Sequence, residues 1–468
     1  MGRMGRLAFW SGCALAVGLA AVAVWLHAWP PALVRVGAAH AAKTVCSGVF
    51  VAGRDAAQVL RDDVVGPGHP LFALVRVDVD RRERVVRAGL LGFAGAGLAV
   101  ARDGTGCAGV PDGDIAAARA HRSPGGADGQ ASAAPWPAGE GTAAPDAAIQ
   151  ALLADDRLAG PGMRAVLVVR DGRIVGERYG AGFDARVPLL GWSMTKTVNA
   201  VLFGLVARER RGGADRPALL SAWHGDARRQ ITAADLLAMS SGLAFDERYG
   251  SVSDVTRMLF LEPDMAGYAA ARPLQHPVGT VFSYASGTSV LLARLWQDAL
   301  ADPARALGYP REALFGPLGM RSAVLEADAR GTFVGSSYMH ATARDWARFA
   351  LLLLEDGRWQ GVDLLPPGFV AMLRAPAPAA DGRYGRGQVW LHGPRSGTPP
   401  GVHADAGFDL PADTYWMLGH DGQSVALVPS RRLALVRLGL TPARLGYKPQ
   451  ALLQALLRLP AGNPAPAR

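Results

Sequence analysis

The stretch GWSMTK at residues 191–196 decides how this chain is interpreted. It places Ser193 three residues before Lys196, and apolar residues at helical spacing follow as far as residue 208. Side chains three apart on a helix lie on one face, so the hydroxyl and the amine are neighbours. A serine is a weak nucleophile until an adjacent base takes its proton, and a desolvated lysine can be that base. The sequence therefore predicts a helix over residues 194–208 with Ser193 as nucleophile and Lys196 as its base.

Lysine is rare in this chain, which gives Lys196 more weight. The chain has 49 lysines and arginines, and lysine occurs only at positions 43, 196 and 448. Arginine stays protonated in proteins and cannot serve as a base. Taken alone, the pattern also fits an N-cap serine followed by a solvated lysine. The formal charge of +9 comes from scattered arginines without interleaved aromatic residues, so we expect no nucleic-acid partner.

Two further stretches follow along the chain. PVGTVFSYAS at residues 277–286 carries Tyr284 and Ser286, and GHDGQ at residues 419–423 leads directly into an apolar run. In these three stretches, taken in order, the chain resembles the class C β-lactamase and penicillin-binding superfamily, which carries Ser-x-x-Lys, Tyr-x-Asn and Lys-Thr-Gly. The likeness is closer to the branch of 6-aminohexanoate-dimer hydrolases and esterases, where Tyr-x-Ser and His-x-Gly variants occur.

The resemblance covers about residues 146–460 and implies a fold class of α/β (α+β), of the β-lactamase/transpeptidase-like type. In that fold an antiparallel sheet is flanked by N- and C-terminal helices, beside a mainly helical subdomain. The residue pattern agrees with it. A hairpin with an Arg-Asp-Gly turn is predicted over residues 165–179, and strands are predicted over residues 424–429 and 432–440. A final helix is predicted over residues 447–459, so both ends of the domain contribute to one layered structure.

The resemblance also implies a role for each motif residue. Ser193 would form the acyl-enzyme and Lys196 would deprotonate it. Tyr284 would relay the proton to the leaving group and activate the deacylating water. The backbone N–H groups of Ser193 and Gln423 would form the oxyanion hole. Alternatively, Tyr284 is a buried aromatic residue with a satisfied hydroxyl.

The chain departs from the β-lactamase pattern at the remaining substrate-side residues, which are Ser286, His420 and Gly422. Ser286 is shorter than the asparagine that binds the substrate amide in β-lactamases. His420 stands where the lysine of Lys-Thr-Gly supplies a permanent charge, and Asp421 adds a negative charge beside it. Both changes favour a neutral ester or amide over an anionic lactam. Alternatively, Ser286 is a turn residue and His420 a structural histidine.

The N-terminal residues 1–41 have the pattern of a signal anchor or signal peptide. Two arginines precede an apolar run over residues 7–29, which is long enough to span a bilayer. Ala39-His40-Ala41 is a possible cleavage site. The pattern therefore predicts export, with the inner membrane as partner of residues 7–29 and a periplasmic or cell-envelope location. A buried helix of a soluble protein is the alternative.

Between this segment and the hydrolase-like domain we expect an accessory region over residues 43–121 and a Gly/Ala/Pro-rich linker over residues 122–145. Strands are predicted over residues 71–79 and 85–91. Cys46 and Cys107 are a disulfide candidate in an exported protein, with two unpaired buried thiols as the alternative.

The remaining histidines argue against metal chemistry. His224, His276, His392 and His403 show no metal-ligand spacing, and no phosphate-binding loop follows a strand, so we expect no metal and no cofactor. The function predicted for residues 146–462 is hydrolysis of a small-molecule ester or amide. The alternatives are a D-Ala-D-Ala peptidase or β-lactamase, and a catalytically silent binding protein on the same fold.

Overall fold

The computed structural model describes residues 3–123, 132–210 and 219–460. Residues 1–2 of the predicted signal segment, residues 124–131 of the predicted linker, and residues 211–218 and 461–462 of the predicted hydrolase domain lie outside these ranges. The first helix, α1 (Arg3–Ala28), contains an apolar window, Phe9–Ala28, with a mean hydropathy of 1.9 and no buried residues. By length and composition, α1 can cross a membrane.

The N-terminal region continues with a helix packed on a small sheet. Its elements are α2 (Ala32–Phe50), α3 (Ala56–Val59), β1 (Val75–Asp80), β2 (Val85–Leu90), β3 (Ala94–Arg102), β4 (Gly106–Gly109) and α4 (Ile115–Ala120). The four strands form an antiparallel sheet in the order β1-β2-β3-β4. β1 starts later than predicted because Pro70–Leu74 forms a 3₁₀ turn, where proline fixes φ.

Helix α2 packs closely against β3. A Cβ on Gly97 would overlap the backbone of Ala38, so only glycine permits this approach. A disulfide between Cys46 and Cys107 joins α2 to β4. The expected boundary at residues 41–43 and the possible cleavage site at residues 39–41 therefore lie inside a continuous, packed helix.

The C-terminal region holds the larger sheet and most of the helices. Its first elements are α5 (Ala147–Ala154), α6 (Asp156–Ala159), β5 (Met163–Arg170), β6 (Arg173–Tyr179), β7 (Leu189–Leu190), α7 (Thr195–Arg210), α8 (Ala233–Leu237), α9 (Asp254–Leu261), α10 (Met265–Ala270), α11 (Ser286–Ala299) and α12 (Pro303–Pro310). There follow β8 (Val324–Leu325), β9 (Met339–Ala341), α13 (Ala343–Leu354), β10 (Arg358–Trp359), β11 (Val362–Asp363), α14 (Phe369–Arg374), β12 (Tyr415–Leu418), β13 (Ser424–Val428), β14 (Leu433–Gly439) and α15 (Gln450–Arg458).

The larger sheet is antiparallel and has the order β12-β13-β14-β5-β6, so strands from both ends of the region meet where β14 pairs with β5. Alternate residues of β5 point to opposite faces. Leu167 packs with α7 and α13 on one face, and Val168 packs with α5 and α15 on the other. The predicted fold class is confirmed. Helix α15 begins later than predicted because Lys448 precedes Pro449, and a residue before proline disfavours helical geometry.

Candidate active site

Ser193 lies in a tight turn between β7 and α7. Residues Trp192–Met194 form one 3₁₀ turn, and Trp192 has a positive φ of 48°. The chain approaches Trp346 so closely at Gly191 that a Cβ there would overlap the indole ring. The glycine and the turn together place Ser193 at the start of a buried helix, as the sequence predicts.

Lys196 is the centre of the polar network around Ser193. Its Nζ lies 3.1 Å from the Oγ of Ser193, 3.1 Å from the Oγ of Ser286 and 3.1 Å from the carbonyl oxygen of Ser336. The side chain is buried, and burial lowers the pKa of Lys196 to about 8, against the opposing effect of Glu247. An amine with this pKa has a neutral fraction at pH 7 that can accept the serine proton.

Tyr284 completes the group of three predicted catalytic residues. The Nζ of Lys196 lies 4.8 Å from the centre of its ring, which also packs against Trp390 at 5.3 Å. Burial and the charge of Glu247 raise the pKa of Tyr284, and a hydrogen bond with Ser193 opposes them. The raised pKa keeps the Tyr284 hydroxyl protonated at neutral pH, where it can donate.

Glu247 belongs to the same network, although no sequence motif marks it. Ser286, the first residue of α11, donates its Oγ proton to Glu247 Oε1 at 2.6 Å and its N–H to Oε2 at 2.8 Å. The same Ser286 hydroxyl accepts a hydrogen bond from Lys196. Burial raises the pKa of Glu247, while Lys196 opposes the rise. One hydroxyl thus connects the candidate base to a carboxylate.

The predicted oxyanion residue Gln423 follows the turn between β12 and β13. Its side chain accepts a hydrogen bond from the Gly439 N–H at 2.9 Å and donates to the Gly439 carbonyl. Within the described ranges, its own N–H donates to no other backbone group, which leaves this donor available. Gly422 beside it has a φ of 84° and packs against Arg437. The turn containing Ser193 is in contact with β12.

His420 lies beside the Ser193 turn rather than apart from it. Its ring stacks on Tyr249 at 4.6 Å and meets Trp192 edge-on at 5.5 Å. Its Nε2 is 3.5 Å from a carboxylate oxygen of Asp421. The place that the family's second lysine would occupy therefore has aromatic neighbours and one acidic neighbour.

The N-terminal region borders this site, which the sequence does not predict. A cavity lies between α2 and the C-terminal region, with His40 on one side and Trp192, Tyr338 and Gln423 on the other. Burial lowers the pKa of His40 to about 4, and the nearby His420 adds to this effect. α2 therefore forms one wall of the space next to the candidate oxyanion hole.

The fold and the site together define the class of the penicillin-recognising and β-lactamase-like proteins, in which Ser-x-x-Lys begins a helix beside an antiparallel sheet. The β-lactamase family model matches residues 145–449, and the chain belongs to this family. No curated protein matches the chain.

Solved structures share this fold at low identity. A Bacillus anthracis protein provisionally assigned as a 6-aminohexanoate-dimer hydrolase is 21% identical, with a TM-score of 0.53 over 66% of this chain and 82% of its own. A penicillin binding protein from Bacillus halodurans is 16% identical, with a TM-score of 0.51 over 66% and 99%. A family VIII carboxylesterase is 16% identical, with a TM-score of 0.50 over 68% and 99%. Likeness at these identities shows the fold alone.

Proposed function

We propose that this protein is a serine hydrolase that forms an acyl-enzyme on Ser193 and hydrolyses an ester or amide. One observation carries the proposal. The Nζ of Lys196 lies 3.1 Å from the Ser193 Oγ, in a buried setting that lowers its pKa to about 8. A nucleophile within hydrogen-bond distance of a base that is partly neutral near pH 7 is what acyl transfer requires.

The chemistry follows from the positions of the side chains. Neutral Lys196 takes the proton of Ser193 as the Oγ attacks the substrate carbonyl, and the negative oxygen that forms is stabilised by the N–H groups of Ser193 and Gln423. As the carbonyl bond to the leaving group breaks, the Tyr284 hydroxyl donates a proton to that group and recovers one from Lys196. A water molecule then attacks the acyl carbonyl as Tyr284 and Lys196 take its proton, and Ser193 leaves as the same groups pass that proton to its Oγ.

The surroundings favour a neutral substrate. His420 stands where the β-lactamases carry the permanently charged lysine of Lys-Thr-Gly, and the Asp421 carboxylate lies 3.5 Å from its Nε2. The rings of Trp192 and Tyr249 pack on His420 and offer apolar surface instead. A carboxylesterase and a protein assigned as an amide hydrolase share the fold, which agrees with an uncharged ester or amide.

A substrate panel tests this proposal. We expect the full chain to hydrolyse p-nitrophenyl butyrate, and Ser193→Ala to lower the rate by at least about 10³-fold. Ser47→Ala, at a buried serine that also contacts a lysine, is the matched control and should keep wild-type turnover. Turnover of nitrocefin without turnover of neutral esters and anilides would instead support the β-lactamase alternative. No turnover of any substrate by the folded chain would contradict the proposal.

We further propose that α1 stays attached and anchors the protein in the membrane. The possible cleavage site lies in α2, where Ala39 is 8% exposed and Ala41 is fully buried. Large apolar side chains also remain exposed near the end of α1, among them Leu74, Leu91 and Phe93. The Leu91 N–H donates to the Leu74 carbonyl, and the carbonyl of Phe93 contacts His27 of α1, so the exposed patch is continuous with the helix.

Lipid contact at this patch can be measured directly. The full chain carrying Cys13→Ser and Phe93→Cys is labelled with an NBD fluorophore at residue 93 and reconstituted in phosphatidylcholine vesicles. The emission maximum of the fluorophore should shift to shorter wavelength, and doxyl-labelled lipids should quench it. The same fluorophore on Val362→Cys, at a side chain that is 67% exposed on β11, should behave as in water. Equal, unquenched emission at both positions would contradict membrane contact at the patch.

A further inference from the structure

Two histidines and an aspartate outside the catalytic network lie together on the loop that follows Trp390. The sequence spacing of His392 and His403 predicts no metal site, yet the structure places both beside Asp405. One nitrogen or oxygen atom from each of the three side chains lies within 4.8 Å of the others. The imidazole centres are 4.0 Å apart. The spacing of these residues in the sequence does not reveal the cluster, because an irregular loop folds back on itself between the two histidines.

The separation of the polar atoms fits metal ligands better than a hydrogen bond. Nδ1 of His392 lies 3.5 Å from Oδ2 of Asp405, beyond the usual N–H···O distance. Two ligands of a tetrahedral zinc ion with bonds of about 2.0–2.1 Å are about 3.3 Å apart. A small contraction would therefore let both atoms bind one ion.

The carboxylate is held by a second layer of donors. Oδ1 of Asp405 accepts hydrogen bonds from the Gly393 N–H at 3.0 Å and from Nε2 of Gln450 at 3.1 Å, and Gln450 is fully buried on α15. Oδ2 accepts only the longer contact from Gly393 at 3.3 Å among the described residues, and it faces His392. Partners that fix a ligand's orientation in this way are typical of metal sites.

The third side chain, His403, is exposed but oriented. The Asp405 N–H donates to its Nδ1 at 3.2 Å, which places the ring beside the other two groups. This nitrogen then holds the only free lone pair of the neutral ring, so the hydrogen bond opens when an ion binds.

We propose that His392, His403 and Asp405 bind one divalent transition-metal ion of the zinc type, with water as the remaining ligand. Two imidazoles and a carboxylate are ligands that Zn²⁺ accepts, whereas Mg²⁺ and Ca²⁺ prefer oxygen alone. The ion would fasten this loop to α15 through Gln450. It would also fix the loop close to Trp390, whose ring packs on Tyr284.

Cobalt binding to the full chain tests the site. The protein is purified in detergent without a polyhistidine tag, treated with EDTA and titrated with Co²⁺. We expect one equivalent to bind with the strong visible absorption of a four-coordinate ion, and Zn²⁺ but not Mg²⁺ to displace it. His403→Ala and Asp405→Asn should each weaken binding at least about 10-fold. His276→Ala, outside the cluster, should bind as the wild type does.

The variants separate a lost ligand from a lost fold. His403 is exposed, so its removal should leave the circular dichroism spectrum and the denaturation midpoint of the metal-free protein unchanged. A wild-type chain that binds no Co²⁺ at 1 mM, or a His403→Ala variant that binds as tightly as the wild type, would overturn the proposal. Because the readout is metal binding, the outcome is independent of hydrolase activity.

Discussion

Two of the three lysines in this chain are buried beside a serine, yet their surroundings differ. Lys196 contacts the hydroxyls of Ser193 and Ser286, and the nearest carboxylate, that of Glu247, is reached through the Ser286 hydroxyl. Lys43 on α2 forms an ion pair of 2.5 Å with the fully buried Glu326. Both sites contain a lysine, a serine and a glutamate, but the glutamate contacts the lysine directly only at Lys43.

This difference shows why burial alone does not make a lysine a base. Burial lowers the pKa of Lys43 overall, although Glu326 opposes the shift at contact distance, and the ion pair with Glu326 occupies the ammonium. Glu326 also accepts hydrogen bonds from Ser47 and the Cys107 N–H, so the pair fastens the N-terminal region to the catalytic region. Burial lowers the pKa of Lys196 as well, but here the acid is one hydroxyl away and the amine contacts the Ser193 hydroxyl, so it can exchange a proton with the candidate nucleophile.

The largest effect is expected at the candidate base. Lys196→Met keeps the side-chain volume and removes the amine, so ester turnover should fall about 10³-fold or more at pH 8. The denaturation midpoint should fall only by the loss of the hydrogen bonds of the amine, because no ion pair at contact distance is broken. Turnover within tenfold of the wild type would remove the distinction between the two lysines.

Lys43→Met should have the opposite consequence. It leaves the Glu326 carboxylate buried and unpaired, which should lower the free energy of unfolding by about 3–5 kcal/mol in urea denaturation. Turnover per folded molecule should stay within about twofold. Adding Glu326→Leu should recover part of the lost stability, since the unpaired charge is then gone. A double variant no more stable than Lys43→Met would show that the ion pair is not what Lys43 contributes.

The pH dependence of turnover examines the role of Glu247. Neutral Lys196 is the active form, so kcat/KM in the wild type should fall as the pH drops below about 8. Glu247 raises the pKa of Lys196, so Glu247→Gln should lower it and move the acid limb to lower pH. Activity at pH 6 relative to pH 9 should rise about threefold or more. If the acid limb of Glu247→Gln lies at the same pH as that of the wild type, Glu247 only positions Ser286.

The smallest effects are expected at the two serines that contact the lysines without being nucleophiles, Ser47 beside Lys43 and Ser286 beside Lys196. Ser47→Ala should cost about 1 kcal/mol of stability, because it removes one hydrogen bond to Glu326, and should leave the pH profile unchanged. Ser286→Ala removes the hydroxyl between Lys196 and Glu247, so it should shift the pH profile of turnover. Identical pH profiles for the two variants would contradict the proposed link through Ser286.

The sequence predicts those features of the fold and site that depend on residues close to one another along the chain. The hairpin of β5 and β6 follows from alternation and an Arg-Asp-Gly turn. The short motif at residues 191–196 identifies Ser193 and Lys196 because three-residue spacing on one helix makes them neighbours. Their catalytic roles remain proposals.

Features that depend on distant contacts could not be predicted in this way. Glu247 lies in a loop without periodicity, and only the folded chain brings it to Ser286. Ala39 and Ala41 resemble a cleavage site, but they belong to α2, which packs closely on the β3 glycines Gly95 and Gly97 through Ala38 and the Ala39 backbone. His403 and Asp405 likewise meet His392 through an irregular loop. In each case the partner is set by tertiary structure.

The most direct test of an activated serine is covalent labelling. The full chain is treated with a fluorophosphonate probe, and intact mass is recorded for the wild type and for Ser193→Ala, with Ser47→Ala as the control. We predict one adduct on the wild type and on Ser47→Ala, and none on Ser193→Ala. A folded wild-type chain that takes no adduct, or an adduct that persists in Ser193→Ala, would contradict the central claim that Ser193 is the nucleophile.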